Sequence, residues 1–309
     1  MGIRVAVDAM GGDHAPAALI RGAVQALSDD PALEIILIGD EGTIHRELEA
    51  FDVGPNRPRV RVVHASQVVG MDEGPVEALK TKKDSSLVRM AALTADGQAD
   101  AMLSAGNTGA CAAAAQLLLR PLPCIARPGI AVTIPSFYGP FVLCDVGANI
   151  QAKPRHLYEY AVMASLFAQR VLGIDEPRVA VMSIGEESGK GTGLVKQTTE
   201  LIKADSRLNF VGNIILKFVE GLAEGLFKTI AREFEDEAPE LRQKFTGALD
   251  RVWERHDYSR YGGAPLLGIN GVCIICHGRS NEFAVRSAVN AARRFVDQNL
   301  SLAISKWLG

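Results

Sequence analysis

The feature that most constrains this chain is a repeated alternation. A short, continuously apolar run is followed by a polar loop rich in Gly, Asn and Asp, and then by a helical pattern. The first unit is the clearest. Ile3–Val7 is apolar apart from Arg4, Asp8-Ala9-Met10-Gly11-Gly12-Asp13-His14 is a polar turn, and Pro16 opens an alanine-rich helical pattern that runs to Leu27. This spells strand, tight turn, helix. A helix start presents backbone N–H groups without partners and the positive end of the helix dipole, which suits an anion. Gly11 and Gly12 permit positive φ and a close approach of ligand to backbone. Asp13 is placed to cap the helix, with Pro16 tolerated in its first turn. An ordinary βα turn with a capping aspartate reads the same way, so this turn alone leaves both readings open.

The alternation continues along the chain. Strands are expected at Ile35–Ile38, Arg59–His64, Ala101–Leu103, Ile130–Ile134, Phe141–Cys144, Arg178–Ser183 and Val272–Cys276. Helices are expected at Glu41–Phe51, around Lys80, Lys82 and Lys83, from a Ser85 cap to Asp96, up to Leu119, and over Pro154–Leu172, Leu194–Lys203 and Asn281–Asn299. Strands that are mostly apolar, separated by helices, indicate a parallel sheet covered on both faces. With no internal repeat and no Pro/Gly/Ser-rich linker, residues 1–309 are expected to form a single α/β domain. Residues 213–260 interrupt the pattern. Leu222, Leu226, Ile230 and Phe234, then Leu241, Phe245, Leu249, Val252 and Trp253, recur at helical spacing around an acidic turn. This predicts a helical hairpin subdomain whose polar faces carry Lys228, Arg232, Arg242, Lys244, Arg251 and Arg255. Such a hairpin packs on the core or a second subunit, or serves as a basic amphipathic surface for a membrane or an acidic partner.

Composition removes several classes of function. A net charge of -3 argues against a general nucleic-acid binder. No apolar run is long enough to span a membrane, and the N-terminal residues lack a signal-peptide layout. Cys111, Cys124, Cys144, Cys273 and Cys276 sit mostly in apolar runs, as expected of reduced thiols in the cytosol.

Five polar loops follow expected strands: Asp8–His14, Ser104–Gly109, Asp145–Asn149, Gly185–Gly191 and His277–Ser280. In a parallel sheet such loops gather along one edge, so the five are expected to converge on one anion-binding crevice. Gly185-Glu186-Glu187-Ser188-Gly189-Lys190-Gly191 is one residue too short for a nucleotide phosphate loop and has Gly191 where Ser or Thr should bind magnesium. Lys190 can still neutralise a phosphate. No GxGxxG follows a strand, which disfavours a dinucleotide cofactor. Cys273-Ile274-Ile275-Cys276-His277 matches the haem-attachment pattern, but a strand turns the two cysteines to opposite faces. The cysteines and histidines show no zinc spacing, and no GxSxG elbow occurs. His14 and His277, both in crevice loops, are candidates to protonate a leaving group or hold an oxyanion.

The motifs DAMGGDHAP (Asp8–Pro16), SAGNTGA (Ser104–Ala110), DVGAN (Asp145–Asn149), Lys153-Pro154 with His156-Leu157, GEESGKG (Gly185–Gly191) and HGRS (His277–Ser280) occur in this order. Together they resemble the bacterial phosphate acyltransferase (PlsX) family, nearly end to end. The resemblance implies a three-layer α/β/α fold with a mostly parallel sheet, similar to isocitrate and isopropylmalate dehydrogenases, with a protruding αα-hairpin. It implies acyl transfer from acyl-acyl carrier protein to inorganic phosphate, giving acyl phosphate for phospholipid synthesis, with no cofactor and no metal. It further implies a cytoplasmic homodimer attached peripherally to the membrane surface, which hands its product to glycerol-3-phosphate acyltransferase. Catalysis is then assigned to Lys190, His277 and Asn149. Phosphate and acyl binding are assigned to Asp8, Gly11, Gly12, Asp13, His14, Ser104, Asn107, Thr108, Asp145, Glu186, Gly191, Gly278 and Ser280. A basic surface at Lys80, Lys82 and Lys83, or on the hairpin, would draw the acidic carrier protein. One departure stands out. Family members continue after the segment matching Asp205–Phe210 into a further strand and loop, whereas here Phe210 joins directly to Val211-Gly212-Asn213. That break keeps a catalytically impaired, membrane-associated homologue as one alternative. A dehydrogenase sharing the fold is another.

Overall fold

The computed structural model describes residues 2–51, 53–135, 139–183, 193–215 and 262–309. The first half follows the expected alternation: β1 (Ile3–Asp8), α1 (Ala17–Ala26), β2 (Leu33–Gly39), α2 (Glu41–Ala50), β3 (Val60–His64), α3 (Pro75–Thr81), α4 (Ser86–Ala95), β4 (Ala101–Ser104) and α5 (Thr108–Leu118). Then come β5 (Gly129–Ile134), β6 (Phe141–Cys144), α6 (Pro154–Arg170), β7 (Arg178–Ser183), α7 (Gly193–Ala204) and β8 (Asn209–Ile215). The chain ends in β9 (Ala264–Leu267), β10 (Cys273–Ile275), and two helices labelled α8 (Glu282–Gln298) and α9 (Leu300–Leu308). Ser85 caps α4 as expected, its hydroxyl accepting from Val88 N–H. Asp13 does not cap α1. That helix begins after Pro16, with no side chain on its first N–H groups.

An eight-stranded sheet runs in the order β3-β2-β1-β4-β10-β9-β5-β6. Strands β1 to β4 and β10 are parallel neighbours. Beyond β10 each pairing is antiparallel: β9 on β10, β5 on β9, β6 on β5. The sheet is therefore mostly parallel rather than wholly so, with β9 and β6 running against the rest. Strand residues alternate between two buried cores, as a period of two requires. Val5, Val7, Ile35, Leu37, Leu103 and Ile274 face one core with α1, α2, α6 and α8, while Ala6, Ile36, Ile38, Met102, Cys273 and Ile275 face the other with α4 and α5. Phe167 of α6 and Phe295 of α8 stack with ring centroids 5.1 Å apart.

Strands β7 and β8 form a separate two-stranded sheet. Its register slips once: Val179 opposes Phe210 and Ala180 opposes Gly212. Val211, the residue just after the departure noted in the sequence, is thus left without a partner in a β-bulge. Gly212 has φ +127°, a region glycine adopts without penalty. Residues 213–215 complete β8, so the hairpin expected over 213–260 cannot begin at 213. The remainder of that hairpin lies outside the described residues. Behind the ribbon, Asp205 gathers the Tyr158 hydroxyl at 2.8 Å, the Trp307 indole N–H at 3.1 Å and the Arg207 guanidinium at 2.8 Å. Arg207 also lies over the Trp307 ring, 4.8 Å from its centroid. Among the described residues no helix is long and apolar enough to cross a membrane.

Candidate active site

Strand order determines which loops meet. β1 has β2 on one side and β4 on the other, and β10 follows β4. The chain reverses its winding at β1, and such a switch point leaves a crevice at the carboxyl ends of the strands. Loops Asp8–His14, Ser104–Gly109 and His277–Ser280 leave that edge from β1, β4 and β10. They are hydrogen-bonded into one unit. Asp13 N–H donates to Gly278 C=O at 2.8 Å, and Cys276 N–H donates to Ser104 C=O at 2.8 Å.

At the centre of this unit is Asp8, only 2% exposed. Its Oδ2 accepts from the Ser104 hydroxyl at 2.8 Å, and its Oδ1 accepts from Met10 N–H at 3.2 Å. The Ser104 oxygen in turn accepts from Gly106 N–H at 3.0 Å. Burial pushes the Asp8 carboxyl above the usual carboxylate range, while hydrogen bonds from Ser86, Ser104, Met10 and Gly11 oppose that shift. Asp8 therefore ties two loops together and turns its charge inward. Ser86 was not legible as a site residue. Its neighbour Ser85 carries the visible cap signal, and only the packing of α4 brings Ser86 to Asp8. Gly11 is demanded by closeness: a Cβ there would stand 2.5 Å from Asp8 Oδ2 and 2.8 Å from Gly106 N. At Gly12, φ is +107° and a Cβ would come within 3.1 Å of the Gly278 carbonyl.

Asn107 is occupied at both ends of its side chain. Its Oδ1 caps α5 by accepting from Ala110 N–H at 2.9 Å. Its Nδ2 lies 3.2, 3.0 and 2.9 Å from the carbonyls of Gly70, Met71 and Glu73. Asn107 thus holds down the loop before α3, and phosphate binding by its amide is not supported. Pro75 sits on Gly109 so closely that a Cβ at 109 would meet its Cγ at 2.6 Å. The first-turn N–H groups of Thr108 and Gly109 have no partner within α5, as at any helix start. Asp13, His14, Thr108 and His277 are solvent-exposed, and Ser280 is buried. His277 Nδ1 accepts from Arg279 N–H at 3.1 Å, which places the ring proton on Nε2. A neutral imidazole held this way offers one N–H donor.

The expectation that Asp145 and Asn149 join this crevice is corrected by strand direction. β6 is antiparallel to β5, so its loop leaves the opposite edge of the sheet, beside the start of β5. There the Asp145 carboxylate accepts from Ile130, Ala148 and Asn149 N–H at 2.9, 3.0 and 2.8 Å. The Asn149 amide donates to Pro128 C=O at 2.7 Å and to the Tyr160 oxygen at 2.8 Å. Both side chains tie this turn to the start of β5 and to α6. Glu186, Lys190 and Gly191 lie outside the described residues. Cys273 and Cys276 do face opposite cores, and Cys273 Sγ lies 3.8 Å from Cys111 Sγ. Burial pushes the Cys276 thiol up to about 12, with Cys273 adding to the effect. Such thiols stay protonated and are poor nucleophiles. No cluster of metal-ligating side chains occurs among the described residues.

The fold is similar to that of solved phosphotransacetylase structures. The Streptococcus pyogenes phosphotransacetylase structure matches with a TM-score of 0.62 over 95% of this chain and 94% of that one. The EutD phosphotransacetylase of Staphylococcus aureus matches with a TM-score of 0.59 over 95% and 94%. Both are 16% identical, a likeness of fold alone. Sequence carries the assignment further. The family described as "Fatty acid synthesis protein" matches residues 3–214 and 205–303. The phosphate acyltransferase of Heliobacterium modesticaldum is 42% identical over 331 residues, covering 98% of this chain and 97% of the relative. That of Moorella thermoacetica is 41% identical over 329 residues, covering 98% and 95%. That of Nitratidesulfovibrio vulgaris Hildenborough is 39% identical over 318 residues, covering 95% and 91%. The chain belongs to the phosphate acyltransferase family. Alignments of 329 and 331 positions exceed its 309 residues, so these relatives carry residues without a counterpart here. The two matched pieces overlap at 205–214, which brackets the Phe210–Val211 junction.

Proposed function

We propose that this chain transfers a fatty acyl group from acyl-acyl carrier protein to inorganic phosphate, yielding acyl phosphate and the free carrier thiol. The observation that carries this reading is 39–42% identity to curated phosphate acyltransferases along nearly the whole chain. In the reaction a phosphate oxygen bonds to the thioester carbonyl carbon and the carbonyl electrons move onto oxygen. Collapse of that oxyanion breaks the C–S bond, and the departing thiolate takes up a proton. The nucleophile is phosphate itself, so the protein needs no reactive Ser or Cys. Its task is to hold two reactants together and to stabilise negative charge.

In this reading phosphate lies among Gly12, Asp13, His14, Thr108 and Gly278, with Glu186, Lys190 and Gly191 completing the crevice. His277 Nε2–H donates to the oxyanion or to the thiolate. A thiol with an unperturbed pKa of about 8.5 needs little help to leave, so positioning outweighs acid catalysis. Asp8, Gly11, Ser104 and Ser280 shape the crevice from behind. Exposed Lys80 and Lys83 suit an acidic carrier protein, whereas Lys82 is engaged with Glu73 and the Val68 carbonyl. A homodimer peripheral to the cytoplasmic membrane surface, passing its product to glycerol-3-phosphate acyltransferase, completes the reading. The longer relatives favour one second reading, a homologue without activity. One assay separates the two: incubate the protein with acyl-carrier protein and phosphate, and trap acyl phosphate with hydroxylamine. Phosphate-dependent hydroxamate is the expected result, and its absence from folded protein would favour the inactive homologue.

A further inference from the structure

The loop between β3 and α3 holds apolar side chains in water while being tightly fastened. Val68 is 39% exposed, Met71 45% and Val76, in the first turn of α3, 62%. Single exposed apolar residues are ordinary, but here three fall within nine positions of one fixed segment. The fastening is specific. Asn107 bonds the carbonyls of Gly70, Met71 and Glu73, and Glu73 accepts from Gly70 N–H at 2.7 Å. Lys82 pairs with Glu73 and bonds the Val68 carbonyl. The segment reaches the crevice as well. A Cβ at Gly278 would lie 3.0 Å from the Met71 methyl, so Met71 rests on the loop that binds Asp13.

We propose that Val68, Met71 and Val76 form an apolar lip that receives the acyl chain of the donor as its thioester enters the crevice. This rests on the acyl-transfer reading above and adds to it the place of the chain. The occupant follows from position: Met71 adjoins the crevice loop at Gly278, and a saturated chain attached to the reacting carbonyl must leave in some direction. Charge around the lip is mixed, since Lys80 and Lys83 are exposed but so are Asp72 and Glu77, and position rather than charge identifies the occupant. Methionine suits a chain of variable length, since its flexible thioether conforms to what lies against it. Each methylene shielded from water should raise affinity by about fourfold.

The test compares carrier protein bearing sixteen-carbon and four-carbon acyl groups, in turnover and in binding. For binding, each acyl group is attached through a non-hydrolysable amide and measured by surface plasmon resonance. Met71→Gln with Val76→Gln should reduce the preference for the longer chain by about tenfold or more, while Met71→Leu should keep it. The readout is the long-to-short ratio, which a general folding defect does not move. An unchanged ratio in the double variant overturns the lip, even where acyl phosphate forms normally. Loss of the ratio in binding establishes the lip, even where no acyl phosphate forms and the catalytic reading fails.

Discussion

At Gly11 a single hydrogen where other residues carry a carbon lets two loops touch. Gly11→Ala would drive its methyl against the Asp8 carboxylate and the Gly106 nitrogen, both backed by rigid structure. Overpacking of this kind costs about 1–3 kcal/mol. We expect a lower midpoint in urea unfolding and loss of phosphate-dependent turnover, and a variant with wild-type values in both would refute the contact. Asp8 itself makes a pH prediction. Its folded-state pKa is raised by burial, so its contribution to stability is greatest below about pH 4, where the carboxyl is protonated folded or unfolded. That contribution declines as pH rises through the folded-state value. Asn at this position does not titrate. The melting temperature of wild type relative to Asp8→Asn should therefore fall as pH rises from about 4 through the folded-state value. A difference independent of pH would show that burial does not govern this carboxyl.

Among elements, the C-terminal helix α9 is anchored through one carboxylate. Asp205 is held well below the usual carboxylate range, chiefly by Arg207 and also by the Trp307 and Tyr158 donors. A lowered pKa stabilises above the unfolded value and loses that effect as pH falls through the folded one. Asp205→Asn should cost about 1–2 kcal/mol at neutral pH, a modest figure because Arg207 is half exposed. The gap from wild type should narrow only below about pH 4, and thermal melts across that range would reveal it. Elements also mark where sequence reading stops. β1, β2 and β4 were legible because continuous apolar runs end at Gly, Ser or Asp. β9 was not, being four residues with Pro265 among them. α9 gives no separate start signal, because the chain passes through left-handed Asn299 and resumes as helix at once. Strand direction leaves no trace in a period of two, so nothing in DVGAN shows that β6 runs backwards. On sequence alone, Asp145 and Asn149 therefore read like the loops of the other edge. The amide contacts of Asn107 were equally hidden, since a capping Asn and a phosphate-binding Asn look alike in sequence.

The molecule as a whole pairs a broad sheet, buried on both faces, with a narrow ribbon. β1 pairs on both sides and lies in both cores, whereas among the described residues β7 and β8 pair with each other alone. A two-stranded ribbon is marginal by itself and relies here on the packing of α6 and α7. Amide hydrogen exchange should be slowest in β1, β2 and β4 and faster in β7 and β8, with opening of the ribbon below the global unfolding free energy. Equal protection in both sheets would mean that they unfold as one unit. The crevice belongs to the slow part, since the described loops that form it leave β1, β4 and β10. Because Glu186, Lys190 and Gly191 of the proposed site follow β7 directly, binding of phosphate should slow exchange in the ribbon as well as in β1 and β4.

The bulge at Val211 has a consequence for chain length. In a ladder, removing one residue turns every later side chain to the other face, which ordinarily makes such a change ruinous. At Val211 one residue is already surplus. Its deletion would pair Phe210 and Gly212 with Val179 and Ala180 in unbroken succession, and residues beyond would keep their facing. The stretch where the two family matches overlap is therefore also one where chain length can change by a residue without inverting the strand.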